Sequence, residues 1–223
     1  MWQILTVQSY IKGTTLKASS NFPNRTKKKP AKTTSKGEIR LIGGQWRGRR
    51  LKVHDKEGLR PTTDRLKETL FNWLMTDVRN AKVLDCFAGA GSLGFEAASR
   101  GAESVMCFEK NKQAAQQLKD NCQLLNASQQ ITVKQGDFFQ QIKHQDGEFD
   151  LVFIDPPFHR DFVEPTIKLL LEGNKLRPGS LVYIEQEQGT DFDLAQSDWQ
   201  NQFALTKNKD AGQVKAQLFE FIG

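Results

Sequence analysis

Apolar and polar positions change rhythm several times along the chain. Residues 12–37 (KGTTLKASSNFPNRTKKKPAKTTSKG) show no apolar period and are broken by Pro and Gly. Such a stretch cannot bury enough surface to offset chain entropy, so residues 1–37 are predicted to be a disordered basic segment. In EIRLIGGQWRGRRLKV (38–53), short apolar runs flank a glycine-rich turn, which predicts two short strands. LRPTTDRLKETLFNWL follows. There Pro61 blocks an earlier helix start, and Thr62, Thr63 or Asp64 can cap one. Leu66, Leu70, Phe71, Trp73 and Leu74 then fall along one broad helical face.

From residue 82 the period alternates between strand and helix. The predicted strands are KVLDCF (82–87), SVMCFE (104–109), ITVKQ (131–135), FDLVFID (149–155) and SLVYIE (180–185). Helices are predicted near 92–100, 111–126, 138–144 and 161–172. Short, continuously apolar strands separated by helices indicate a parallel sheet covered on both faces. After residue 200, FALTKNK (203–209) and QVKAQLFEFI (213–222) flank Asp210-Ala211-Gly212 and read as an antiparallel hairpin. The fold class is therefore α/β. Its expected parts are the disordered segment 1–37, a hairpin-and-helix extension at 38–80, and a βα-repeat domain at 81–223.

Charge sharpens the division. Residues 1–60 hold 15 Lys/Arg against 3 Asp/Glu, a balance of +12 within a net +6. A basic head on a mildly acidic body suits a polyanionic partner, although a basic tail can also serve solubility alone. Cys86, Cys107 and Cys122 have no C-x-x-C spacing and are odd in number, which argues against a disulfide framework or a zinc site and fits a reducing compartment. No metal is expected, since His54, His144 and His159 lack ligand spacing. No apolar run approaches the ~20 residues of a membrane span. The expected location is the cytoplasm, with no membrane partner, and a monomer is expected. Residues 1–36 carry eight Lys/Arg and no acid, so an organelle transit peptide stays open.

VLDCFAGAGSLGFEAA reads as strand, glycine turn and helix. Gly89 and Gly91 let backbone approach a ligand, and the helix start offers unpaired N–H groups. Gly89-x-Gly91-x-x-Gly94 alone is ambiguous between nicotinamide and S-adenosylmethionine. Asp85 favours the latter, because a carboxylate there suits a cationic amino acid moiety and repels a pyrophosphate. Glu109 ends the next strand, where an acid can accept both ribose hydroxyls or simply face solvent. Asp137 and Phe138 follow the third strand, as cofactor contacts, as a helix cap with a core Phe, or as both at once.

In FDLVFIDPPFHR a buried strand ends in Asp155-Pro156-Pro157-Phe158. The prolines make a stiff loop of acceptors. An exocyclic amine on an aromatic ring is a poor nucleophile with two N–H donors. The Asp155 carboxylate and the Pro156 carbonyl can accept both and draw nitrogen toward tetrahedral geometry. Phe158 can stack on the base. Upstream, Gly43-Gly44-Gln45-Trp46-Arg47-Gly48-Arg49-Arg50, with Arg60 and Arg65, forms a plausible phosphate and base surface, or a solvated hairpin with its Trp packed on the body.

These motifs carry a resemblance. D-x-F-A-G-x-G resembles the first motif of S-adenosylmethionine enzymes, and DPPF resembles the (Asp/Asn/Ser)-Pro-Pro-(Tyr/Phe/Trp) motif of amino methyltransferases. Taken with IRLIGGQWRGRRL and LRPTTDRLKETLFNWL, the chain resembles the RsmD-type small-subunit ribosomal RNA guanine-N2 methyltransferases over roughly residues 38–222. That implies a class I, Rossmann-like fold: a mostly parallel seven-stranded sheet with a C-terminal antiparallel hairpin and a small N-terminal extension. The implied substrate is one guanine of 16S rRNA in the small ribosomal subunit, conventionally numbered 966. The implied cofactor is S-adenosylmethionine, held by Asp85, Phe87, Gly89, Gly91, Glu109, Asp137 and Phe138. Catalysis falls to Asp155, Pro156, Pro157 and Phe158. RNA binding falls to Trp46, Arg47, Arg49, Arg50, Arg60 and Arg65. The basic lead at 1–36 departs from the family pattern, as extra RNA contact, as an address, or through an early start site. Other readings stay open: an adenine or cytosine amino methyltransferase, a nicotinamide oxidoreductase in which DPPF has no role, and a non-enzymatic ribosome assembly protein.

Overall fold

A computed structural model describes residues 37–53 and 64–223. The basic lead, Arg60, Pro61 and the proposed caps Thr62 and Thr63 lie outside the described residues. The elements in chain order are β1 (Glu38–Arg40), β2 (Arg50–Lys52), α1 (Asp64–Trp73), β3 (Lys82–Asp85), α2 (Ser92–Ser99), β4 (Ser104–Glu109), α3 (Lys112–Leu124), β5 (Ile131–Gln135), α4 (Phe138–Gln141), β6 (Phe149–Ile154), α5 (Val163–Glu172), β7 (Leu176–Glu187), β8 (Phe203–Ala211) and β9 (Val214–Phe221).

Strands β3 to β9 form one seven-stranded sheet in the order β5-β4-β3-β6-β7-β9-β8. The first five pair in parallel, and β9 runs antiparallel to both β7 and β8. This is the class I methyltransferase sheet. The alternation of each strand divides the core. Val83, Val105, Leu151, Phe153, Tyr183 and Leu218 face α1, α2, α3 and the β1–β2 hairpin. Leu84, Phe108, Val152, Ile154, Val182 and Phe219 face α4 and α5. Residues i and i+1 of a strand point to opposite faces, so both sides of these strands must be apolar, as their unbroken runs are.

The boundaries differ from the sequence expectations where hydrogen bonding changes hands. β3 stops at Asp85 rather than residue 87, because the chain turns into the glycine loop. There the Cys86 N–H donates to the Phe153 carbonyl at 3.1 Å and the Ala88 N–H to the Phe108 carbonyl at 2.9 Å. The 138–144 helix is α4 followed by a 3-10 turn, Ile142–His144. The terminal hairpin pairs Ala211 with Val214, so its connection is 212–213 and not 210–212.

The β1–β2 hairpin shares the core of the sheet: Ile39, Leu41 and Leu51 are buried there. Its glycine turn is fixed to α2. The Glu96 carboxylate accepts the Ile42 N–H at 2.8 Å and Arg100 Nε at 2.8 Å. Ser99 Oγ donates to the Gly43 carbonyl at 2.6 Å and accepts the Trp46 N–H at 3.0 Å. At Gly44, with φ 70°, a Cβ would overlap the Ser99 carbonyl oxygen. Beneath the hairpin, Lys67 of α1 is 1% exposed and donates to the Arg40 carbonyl at 2.6 Å and Ser92 Oγ at 3.2 Å. Burial holds its ammonium below its ordinary pKa, against the pull of Glu96 and Asp64.

Candidate active site

Strand order reverses between β3 and β6: the chain passes from β3 to β4 on one side and reaches β6 on the other. In open α/β sheets the crevice at the carboxyl ends of such strands is where ligands bind. Asp85 ends β3, Glu109 ends β4, Asp137 follows β5 and Asp155 follows β6. Four acids scattered over 71 positions of sequence thus reach one edge of the sheet.

The glycine loop joins β3 to α2. Gly91 caps α2 with φ 78°, and a Cβ there would come within 2.6 Å of the Phe95 ring. A side chain is excluded twice over, by conformation and by space. Asp85 lies below this loop: it is 2% exposed, and its Oδ2 accepts the Gly94 N–H at 3.1 Å. Burial first, then the nearby Asp155 charge, push its carboxyl up to about 7. A cationic ligand group nearby would offset both effects. The Glu109 Oε1 accepts the Asn111 N–H at 2.6 Å, which ties the end of β4 to the start of α3.

Asp137 caps α4, accepting the Phe139 N–H at 3.0 Å, and its other oxygen accepts Lys110 Nζ at 2.9 Å. Phe138 is buried beneath it. Phe87 packs at 5.4 Å from Phe138 and stacks at 5.8 Å on Phe162, with Phe139 alongside at 6.0 Å. An aromatic wall therefore stands beside the loop. Phe139 and Phe162, which the sequence reading did not single out, belong to it.

In the Asp155–Phe158 loop, Pro156 is buried, Asp155 and Phe158 are half-buried, and Pro157 is exposed. Beside it opens a cavity of about 550 Å³, walled by Pro156 to Asp161 on one side and by Gln186, Glu187 and Gly189 to Phe192 on the other. His159 holds the two walls together: its N–H donates to Glu187 Oε2 at 2.9 Å, and its Nδ1 lies 3.2 Å from that oxygen. Asp85, the glycine loop and Glu109 do not line this cavity. Pro156, Pro157 and Phe158 of the motif thus line a space large enough for a nucleobase, while Asp155 stands at its margin without lining it.

The residues expected to meet RNA are spread. Arg47, Arg49 and Arg65 are exposed, and Arg50 pairs with Glu38 at 3.2 Å. Trp46 is half-buried and packs on the core, as the more ordinary reading of that Trp had it. Arg60 lies outside the described residues. Sequence reasoning missed Lys67, Glu96, Ser99, Tyr183 and Glu185. A signal existed for Glu185, an acid that closes an apolar run as Glu109 does; nothing in the sequence marked the others.

Among the described residues no three His, Cys, Asp or Glu gather to hold a metal ion, and no helix is long and apolar enough to cross a membrane. The residues present suit an S-adenosylmethionine-type methyl donor. A close-approach glycine loop, a buried carboxylate beneath it, a strand-end acid and an aromatic wall match a ligand with a cationic, a hydroxylated and a flat aromatic part.

Fold and site together define a class I methyltransferase. The family model described as "Conserved hypothetical protein 95" matches residues 39–220, and the chain belongs to that family, the RsmD-type methyltransferases. The chain is 46% identical over 197 residues to the ribosomal RNA small subunit methyltransferase D of Haemophilus influenzae, covering 86% of this chain and 99% of the relative. The protein of the same name from Escherichia coli K12 is 42% identical over 193 residues, covering 86% and 94%. Among solved structures, a putative methyltransferase from Escherichia coli superposes with a TM-score of 0.73 at 40% identity, covering 84% of this chain and 99% of that one. A putative methylase from Haemophilus influenzae gives 0.71 at 41% identity, covering 84% and 100%.

Proposed function

We propose that this protein transfers a methyl group from S-adenosylmethionine to the exocyclic N2 amine of one guanine in small-subunit 16S rRNA, the guanine conventionally numbered 966. The observation that carries the reading is the position of Asp155-Pro156-Pro157-Phe158. It stands at the carboxyl end of β6, across the switch point from the glycine loop, and its Pro156, Pro157 and Phe158 line a base-sized cavity. The relatives named as ribosomal RNA small subunit methyltransferases match over nearly their whole length and support the RNA substrate.

In this reading Gly89 and Gly91 give backbone access to the methyl donor. Asp85 and the N-terminus of α2 serve its amino acid end, Glu109 its ribose, and Asp137, Phe138 and Phe87 its adenine. When bound, the donor supplies an electrophilic methyl group on a sulfonium. The protein's own work is on the amine. The Asp155 carboxylate and the Pro156 carbonyl accept its two N–H bonds and pull the lone pair out of conjugation with the ring. Phe158 stacks on the base and holds it flat. Catalysis of this kind rests on positioning and electrostatics, and no covalent intermediate is needed. Arg47, Arg49, Arg50, Arg60 and Arg65 meet phosphates, and Trp46 anchors their hairpin to the body.

The test is methyl transfer from labelled S-adenosylmethionine to undermethylated small subunits, with the modified nucleoside identified by mass spectrometry. N2-methylguanosine at a single site is the expected product. A methylated adenine or cytosine would keep the amine chemistry and overturn the substrate. Donor binding with no transfer to subunits, naked RNA or DNA would favour an assembly role instead.

A further inference from the structure

Two buried titratable side chains beside the site have no part in the chemistry above. Glu185 is 5% exposed and Tyr183 is fully buried. Both lie on β7, two residues apart, and so share one face of the sheet. In the parallel β6–β7 ladder Phe153 pairs with Tyr183 and Ile154 with Ile184. Continuing that register by one step sets Asp155 level with Glu185, and the Asp155 charge acts on both Tyr183 and Glu185. Tyr183 Oη donates to Glu185 Oε2 at 3.0 Å, which fixes the carboxyl.

Among the described residues the groups around this pair are few. On β9 the residue opposite Glu185 is Ala216. Lys209 of β8, level with Ala216, is engaged at Thr69 Oγ1 of α1 at 2.9 Å. Lys67 of α1 is bound at Arg40 and Ser92. From the β3 side, Asp85 interacts with Asp155. Among the described residues the titratable groups that act on Glu185 are Asp155, which repels its charge, and Tyr183, which favours it. Burial first, then Asp155, push the Glu185 carboxyl up to about 8, and the Tyr183 hydrogen bond pulls the other way.

We infer that Glu185 is a positioning residue for Asp155: the two carboxyls share a proton and act together as the acceptor for the proton that the target amine sheds, with Tyr183 holding Glu185 in place. The inference rests on the amine-methylation reading. In the reaction the amine nitrogen forms its bond to the methyl carbon as the carbon–sulfur bond breaks and leaves its electron pair on sulfur. The nitrogen then carries a positive charge and gives one proton to Asp155. Glu185, once ionised, makes Asp155 more basic by its charge and offers the proton a second seat.

The experiment compares wild type, Glu185→Gln and Tyr183→Phe in single-turnover methyl transfer to undermethylated subunits across pH, with donor affinity measured by calorimetry. The wild-type rate is expected to rise through an inflection near 8, where the pair loses its shared proton. Glu185→Gln should lose that inflection and run about tenfold slower or more, with donor affinity unchanged within about twofold. Tyr183→Phe removes a hydrogen bond that favours the anion, so its inflection should move to higher pH. In the donor-free protein the infrared absorption of protonated carboxyls at neutral pH should weaken in Glu185→Gln, and what remains should be removed by Asp85→Asn. A Glu185→Gln profile that keeps its wild-type shape, at any rate, overturns the inference. If that variant fails to fold, Tyr183→Phe decides: an inflection that stays in place overturns it. The wild-type product is identified in the same reactions. No methylated amine from wild type brings down the amine reading and this inference with it. A wild-type product with unshifted variant profiles brings down the inference alone.

Discussion

Asp155 is the residue on which the proposed chemistry turns. Asp155→Ala removes one of two amine acceptors and leaves the glycine loop, Glu109 and Asp137 untouched. Turnover should fall at least about 100-fold, while S-adenosylmethionine still binds; single-turnover kinetics and calorimetry together check this. Retention of wild-type turnover would remove Asp155 from the mechanism. The positions of such residues were partly legible in the sequence. Asp85, Glu109 and Asp155 each close a run of apolar residues, and a carboxylate at a strand end is a local pattern. Glu185 shows the limit. It closes a similar run in LVYIE, yet its interest comes from Asp155, just past the end of the neighbouring strand and 30 residues away. Lys67 is more opaque still. In sequence it is one lysine on a helix, and only the docked hairpin above it makes it a buried, fully engaged cation.

At the level of elements, the hairpin and α2 behave as one piece. α2 carries the glycine loop at its start and grips the hairpin at its end, through Glu96, Ser99 and Arg100. Arg100 also lies over the Phe71 ring at 4.8 Å, which brings α1 into the same contact. Gly44→Ala should disturb this joint selectively. It puts a Cβ against the Ser99 carbonyl at a positive φ, for a loss of about 2 kcal/mol, read as a lower urea midpoint. RNA affinity should drop with it. Unchanged stability would mean that the turn relaxes freely. On the hairpin surface, Arg47→Ala and Arg49→Ala should each weaken RNA binding and reduce the slope of log affinity against log salt by about 1. A slope equal to that of wild type would exclude phosphate contact at those positions. The elements themselves were read well from period and punctuation. Ends were read less well, because the glycine loop and the terminal hairpin stop where hydrogen bonds find other partners. β7, for example, begins at Leu176, four residues before the predicted run, through pairing with β6.

For the whole molecule, the carboxyls at the sheet edge set a pH dependence. Asp85 is raised to about 7 and Glu185 to about 8 in the folded protein, against ordinary values near 4 when unfolded. Between those limits the folded state binds more protons than the unfolded one, so stability must fall as pH rises. The contribution is fully present below about pH 4 and is lost as pH passes through the folded values. The donor-free protein should lose roughly 1–2 kcal/mol per pH unit between about pH 5 and 7, measured as urea midpoints. Asp85→Asn should reduce that slope. A midpoint that climbs with pH over this range would show that neither carboxyl keeps its proton.

The sequence by itself determined the alternation of strand and helix, the parallel character of the sheet, the terminal hairpin and the two loops to which the chemistry is assigned in the proposed function. These are local properties: side-chain period, glycine and proline geometry, and a charge at the end of an apolar run. Their meaning does not depend on what lies across the fold. Tertiary structure alone decided which acids share an edge, which lysine is buried, how Trp46 sits and where the base-sized cavity opens. Those depend on strand order and register, and register is set by the packing of whole faces. Strands β6 and β7 are neighbours through the strand order of the whole sheet, and that pairing, through no feature of either strand's own sequence, brings Asp155 and Glu185 together.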